Sequence, residues 1–192
     1  MTRALLFALA LLAAAPLRAQ DLSQPMILVA TPELADPIYA RTVLVVAPLG
    51  GGEHIGFIVN RPTEMTLGKI FPEDPASQKV PDPVYLGGPV RPELIFALVE
   101  RPSSPGGRSL PVMPGLYAAI EQKTVDKIIR GEPGDARYVA GFVAWESGEL
   151  SDELKSGAWY VMAPDAHLVL DTPAPGLWQE LVRRSQMSAN AI

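Results

Sequence analysis

Thr42-Val43-Leu44-Val45-Val46-Ala47, then Pro48-Leu49-Gly50-Gly51-Gly52, then, after Glu53, His54-Ile55-Gly56-Phe57-Ile58-Val59-Asn60: this stretch decides the fold. Two apolar, β-branched segments, each too short for a helix, flank a glycine-rich turn, so Thr42 to Asn60 reads as a hairpin of buried strands. The same texture recurs on both sides. Met26–Ala30 is a continuous apolar run stopped by Thr31-Pro32, and 84–86, 94–99, 115–120, 138–145 and 159–162 read as further strands. Helical periodicity is confined to 66–71, 124–130, 150–155 and 175–184. Thr66 is placed to cap the first helix and Ser147 or Ser151 the third; Gly131 and Gly157 stop the second and third. Leu177, Trp178, Leu181 and Val182 form the apolar side of the last. Pro72–Pro83, with four prolines, and Arg101–Arg108 read as loops. Strands outnumber helices, and most links are too short for helical crossovers. The expected fold class is therefore α+β, a single domain with a largely antiparallel sheet rather than a doubly wound parallel one.

Upstream of the first strand, Met1 to Ala19 reads as a secretory signal peptide. Arg3 supplies the positive start, Ala4 to Ala15 is an unbroken run of Leu, Phe and Ala, Pro16 ends it, and Ala19 offers a small residue at a cleavage point before Gln20. The run is shorter than the roughly 20 residues a spanning helix needs. A buried N-terminal helix is the competing reading, but such a helix carries polar residues on one face and this run carries none. The chain then divides into the signal (1–19), a polar leader (20–25), one domain (26–185) and a fraying tail (186–192).

Composition narrows the function classes. Of 192 residues, 48% are hydrophobic, which suits a packed globule rather than a disordered chain. The formal net charge is −5; without Arg3 and Arg18 of the signal, 14 basic residues face 21 acidic ones, a balance of −7. No cluster of Lys and Arg exists to neutralise phosphates, so a nucleic-acid partner is not expected. There are no cysteines, which excludes disulfides, thiolate nucleophiles, zinc-thiolate sites, iron–sulfur clusters and a lipid anchor at the cleavage point. After the leader no apolar run approaches membrane-spanning length.

Several polar groups could carry chemistry, each with a structural alternative. Gly50-Gly51-Gly52 could cradle an anion, but a strand follows where a phosphate loop needs a helix N-terminus. Asn60 and Arg61 offer an amide and a forked cation for a carboxylate or phosphate; equally, Asn60 turns the strand end, Pro62 fixes the exit and Arg61 pairs with a local acid. Gly87 and Gly88 either bring backbone close to a ligand or neighbour, or make a tight turn. Trp145, Glu146, Ser147, Glu149 and Glu153 form the densest polar group. On a helix Glu149 and Glu153 share a face, as a paired acid and base or a Ca²⁺ or Mg²⁺ site, or simply as acids favoured near a helix start. His54 and His167 are the two histidines, and a zinc site or Ser-His-Asp arrangement would have to bring distant segments together. Gly-x-Ser-x-Gly is absent. No metal or cofactor is expected.

Three blocks resemble the YqgE/AlgH family of bacterial proteins: His54 to Pro62, Tyr85-Leu86-Gly87-Gly88-Pro89-Val90, and Ala140 to Leu150 followed by Glu153-Leu154 and Ala158-Trp159. The opening Leu28-Val29-Ala30-Thr31-Pro32 is similar too, so the resemblance runs from Leu28 to Arg184. It implies an α+β fold whose sheet is bifurcated, with a small barrel-like part and surrounding helices. The family's activity is not established, although a role in transcription of alginate genes is attached to its name. Relatives are usually read as cytoplasmic, from which a signal peptide departs, and Glu149 stands where the family pattern commonly has Gln.

The expected function is that of an exported, non-enzymatic binding or regulatory interaction module with a protein or small-molecule partner, using Asn60, Arg61, Gly87, Gly88, Trp145, Glu149 and Glu153. The alternatives are a periplasmic hydrolase or metal-dependent enzyme and, second, a transcriptional regulator as in the family label. N-terminal sequencing of fractionated cells is expected to find the protein in the periplasm beginning at Gln20; an intact Met1 in the cytoplasm would overturn the export reading.

Overall fold

The computed structural model describes residues 21–131 and 136–189; the expected signal peptide lies outside the described residues. The expected hairpin is present. It is followed or preceded by a set of short strands: β1 (Met26–Ala30), β2 (Val43–Gly50), β3 (Glu53–Ile58), β4 (Pro62–Thr66), β5 (Pro83–Leu86), β6 (Val90–Glu100), β7 (Ser109–Met113), β8 (Leu116–Ala119), β9 (Ala136–Trp145) and β10 (Trp159–Met162). The helices are α1 (Leu67–Ile70), α2 (Gln122–Arg130), α3 (Glu149–Lys155), α4 (Ala166–Leu170) and α5 (Ala174–Ala189). In the β2–β3 turn Gly51 and Gly52 take φ of 62° and 87° between the paired Gly50 and Glu53, which suits a tight two-residue turn and settles the glycine run as a hairpin closure.

The strands form one sheet in the order β10-β1-β2-β3-β9-β6-β8-β7. Every pair on that path is antiparallel. β5 runs parallel to β9 through Tyr85↔Val139 and Leu86↔Ala140, and carries β4 on its other side. One edge of β9 is thus divided. β3 takes its end, at Val143, Ala144 and Trp145, while β5 takes its middle. The sheet forks at this strand, and it also curls until β7 lies against β2, giving an antiparallel half-barrel.

Close backbone approach makes the fork possible. A Cβ on Gly87 would lie 2.3 Å from the Gly141 carbonyl oxygen, one on Gly88 would lie 2.2 Å from the Phe142 carbonyl carbon, and one on Gly141 would lie 2.4 Å from the Gly88 oxygen. Gly141 also takes φ +71°. It shifts the strand's alternation: Val139 points into the barrel core, yet Val143 and Trp145, of the same parity, point to the outer core under α3.

Three apolar clusters follow from this geometry. Val43, Val45, Phe57, Phe96, Leu98 and Leu116 fill the half-barrel, closed by Val169 of α4 and Leu177 and Leu181 of α5. Ala97, Val99 and Tyr138 meet Val125, Ile128 and Ile129 of α2 on one outer face. Leu28, Leu44, Val46 and Trp145 meet Leu150 of α3 on the other.

Some local expectations shift. Thr66 caps α1 as expected, its hydroxyl accepting from the Lys69 N–H at 3.3 Å. α3 instead begins at Gly148 without a Ser147 or Ser151 cap, and the Glu149 carboxylate reaches back to the Glu146 N–H at 2.8 Å. Pro175 and Gly176 are non-helical and kink the start of α5, which continues to Ala189, beyond the expected end at Arg184. Strands β4 and β7 and helix α4 have no counterpart in the sequence reading, because five-residue strands that carry a proline and a five-residue helix lack a clear period.

Gly88→Ala is expected to destabilise the protein by about 3 kcal/mol or more, since rigid backbone rather than a flexible side chain occupies the space. Gly115→Ala, at φ +78° with open space around it, is expected to cost only about 1–2 kcal/mol. Urea denaturation checks the contrast; equal losses would refute the account of the fork.

Candidate functional site

Asn60 stands at the end of β3 and joins segments rather than facing a groove. Its Oδ1 accepts from the Val43 N–H at 2.8 Å and its Nδ2 donates to the Arg41 carbonyl at 3.0 Å. Arg61 donates through Nη2 to the carbonyls of Ala40 at 3.0 Å and Pro37 at 3.4 Å, so backbone oxygens take the place of the expected local acid. Both side chains hold the 36–41 turn against the start of β2. Gly87 and Gly88 are buried at the fork, against backbone.

Trp145, Glu149 and Glu153 do come together. With Tyr39 and Asp152 they line a shallow hollow of about 440 Å³. Glu153 Oε2 accepts from two indoles, Trp145 Nε1 at 3.0 Å and Trp159 Nε1 at 2.7 Å. A buried indole N–H needs an acceptor, and one carboxylate oxygen satisfies two. Glu149, by contrast, bonds back to the Glu146 N–H in the turn. The acids share a helix face as expected but each is engaged separately. Burial pushes the Tyr39 phenol above its ordinary value, with the Glu153 and Asp36 charges adding to the effect. Among the described residues no three His, Asp or Glu groups converge to hold a metal ion.

The histidines are held apart by their partners. His54, 2% exposed, has Nδ1 at 3.1 Å from the Gly52 carbonyl and Nε2 at 2.8 Å from the Leu22 carbonyl, which ties the leader to β3. His167 is exposed on α4, its Nδ1 at 3.3 Å from Asp171 Oδ2 and 3.6 Å from Glu100 Oε2.

A larger concavity, of about 580 Å³, opens between β5, the start of β9 and the α4–α5 link. Arg137 is part of its lining and is only 9% exposed. It donates through Nη1 to the Val59 carbonyl at 2.8 Å and through Nη2 to the carbonyls of Leu170 at 3.1 Å and Thr172 at 3.3 Å. Its guanidinium lies 4.7 Å from the centre of the Tyr85 ring. Asp82, Glu100 and Asp171 also line the cleft. Burial pulls the Arg137 guanidinium below its ordinary value, while Tyr85, Asp82 and Asp171 pull the other way. The cleft is absent from the seven sequence candidates, since the sequence pattern starts this strand at Tyr138, one residue past Arg137. The available signal was a lone arginine entering an apolar strand, since a charge buried in a strand needs a reason.

Residues 27–190 match a protein family described as AlgH-like, DUF179. A UPF0301 protein of Streptomyces coelicolor is 30% identical over 164 residues, 83% of this chain and 85% of the relative. A UPF0301 protein of Azoarcus sp. is 34% identical over 151 residues, 76% of this chain and 80% of its own. The solution structure of the AlgH protein from Pseudomonas aeruginosa superposes with a TM-score of 0.66 at 26% identity, covering 88% of this chain and 87% of that one. A crystal structure from Corynebacterium diphtheriae, 20% identical, has the same fold, with a TM-score of 0.69 over 86% of this chain and 88% of its own.

Glu153→Ala leaves two largely buried indole donors without their acceptor and is expected to cost about 2–4 kcal/mol, with Glu153→Gln recovering most of it through its carbonyl. Urea titration followed by tryptophan fluorescence reads both. Wild-type stability in the alanine variant would free this carboxylate for a chemical role.

Proposed function

The chain belongs to the AlgH-like family, DUF179, and we propose that it acts as an exported, non-enzymatic binding and regulatory interaction module. The cleft containing Arg137 carries this reading: it gathers a fixed cation, an aromatic face and several acids, which are groups that recognise a ligand. The polar residues at turns support it from the other side. Asn60, Arg61, Glu149 and Glu153 are engaged in bonds that hold neighbouring segments, which is a fold-positioning use rather than a catalytic one. A hydrolase would need a nucleophile beside an oriented base. His54 is bound between two backbone carbonyls and His167 sits among carboxylates, so neither histidine has that arrangement.

Export rests on the sequence pattern of Met1 to Ala19, and it argues against the transcriptional role attached to the family name. The net charge of −5 works in the same direction, since DNA binding depends on neutralising phosphates. Among the described residues no helix is long and apolar enough to cross a membrane.

Crosslinking in intact cells, followed by purification of the adducts, is expected to recover a discrete partner, and Glu149→Ala serves as the variant that tests the enzymatic alternative. Hydrolysis of a broad ester, amide and phosphoester panel that disappears in the same variant would replace this reading with the enzymatic one.

A further inference from the structure

The Arg137 guanidinium is a buried charge whose hydrogen-bond partners, among the described residues, solvate it without neutralising it. It makes three hydrogen bonds, all to backbone carbonyls, whereas a guanidinium has five N–H donors, so at least two are left over. Among the described residues its acidic neighbours form no ion pair with it: Asp82 and Asp171 act on it only at longer range. A desolvated cation is ordinarily paired. Here it is held rigidly at an open cleft, against the Tyr85 ring and three fixed oxygens, with donors to spare. That geometry suits a carboxylate or another small oxyanion.

The surroundings narrow the choice. Asp82, Glu100 and Asp171 line the same cleft. A phosphate would gain the guanidinium but face three carboxylates. A simple amine would gain the carboxylates but face the guanidinium. Of the acids, Glu100 and Asp171 have His167 between them, and Asp82 comes from a separate stretch of the lining, just before β5. A ligand with both charges, a few ångströms apart, satisfies both sets at once. The volume of about 580 Å³ accommodates anything from one amino acid to a short peptide and lies within the usual range for small-molecule sites.

Building on the binding-module reading, we infer that this cleft binds a small zwitterion, an α-amino acid or a short peptide. The ligand's carboxylate bonds to the remaining Arg137 donors, and its ammonium lies between Asp82 and Asp171.

Calorimetry on the exported protein, with glycine, L-leucine, glycylglycine and triglycine as probes against acetate, methylamine and inorganic phosphate, tests this. At least one zwitterion is expected to bind about tenfold or more tightly than any singly functional probe or phosphate. A preference for leucine identifies a free amino acid as the ligand, and a preference for the glycine peptides identifies a peptide. The exposed pair Asp82→Asn with Asp171→Asn is expected to weaken the zwitterion about tenfold while weak acetate binding is not weakened and gains from the loss of two repelling carboxylates. Arg137→Lys is expected to weaken both; since it also disturbs three internal bonds, the aspartate pair supplies the independent readout. Phosphate or acetate matching the best zwitterion, or zwitterion binding indifferent to both variants, or none at millimolar concentration, would overturn the inference. A crosslinked partner recovered alongside such a failure would leave the interaction-module reading standing.

Discussion

The contact between Gly87-Gly88 and Gly141-Phe142 is the constraint from which the architecture follows. Main chain meets main chain at distances that exclude any side chain, with a Cβ at Gly88 only 2.2 Å from a carbonyl carbon. That proximity lets β5 bond to the middle of β9 just where β3 leaves it, with the Gly87 N–H reaching the Ala140 carbonyl at 2.7 Å and the Ile58 N–H reaching the Gly87 carbonyl at 2.8 Å. One edge therefore serves two branches. Gly141 adds the change of face that lets one strand contribute to three cores. Without it Val143 and Trp145 would point into the barrel, and α3 would lose the apolar surface it covers.

Once the sheet forks, its loose ends need fastening, and polar side chains supply this. Asn60 and Arg61 secure the turn before β2, Glu153 gathers two tryptophans beneath α3, and the Trp178 indole donates to the Ala30 carbonyl at 2.7 Å to seat α5 on β1. Each satisfies a group that would otherwise be buried without a partner. A conspicuous motif can thus reflect the demands of connectivity as readily as those of chemistry.

This explains which features were legible in the sequence. The β2–β3 hairpin was, because two β-branched runs and a glycine turn leave one local solution. The antiparallel α+β class was, from strand number and link length. The bifurcation came only through the family resemblance, since nothing in Gly87-Gly88 or Gly141 alone says which distant backbone will approach it. The acidic pair was placed on one helix face correctly, but its bonding depended on Trp159 and the Glu146 amide, whose positions are tertiary. The Arg137 cleft draws on four separate segments, Asp82 to Tyr85, Glu100, Ala136 to Tyr138 and Leu170 to Pro175, and no spacing rule connects them.

Arg137 also shows why a buried charge can persist when, among the described residues, no carboxylate pairs with it directly. Its three acceptors come from the end of β3 and from the last turn of α4 and the link beyond it, so the same side chain that floors the cleft fixes its walls. Carbonyls at a helix end lack partners of their own, and a cation satisfies them. An apolar residue of the same length would leave three oxygens unmatched, and a lysine could not meet them with a planar fork. Carbonyl dipoles replace the lost hydration but cancel no net charge. The fold therefore stabilises the guanidinium enough to keep it in place at a cleft that Asp82 and Asp171 also line.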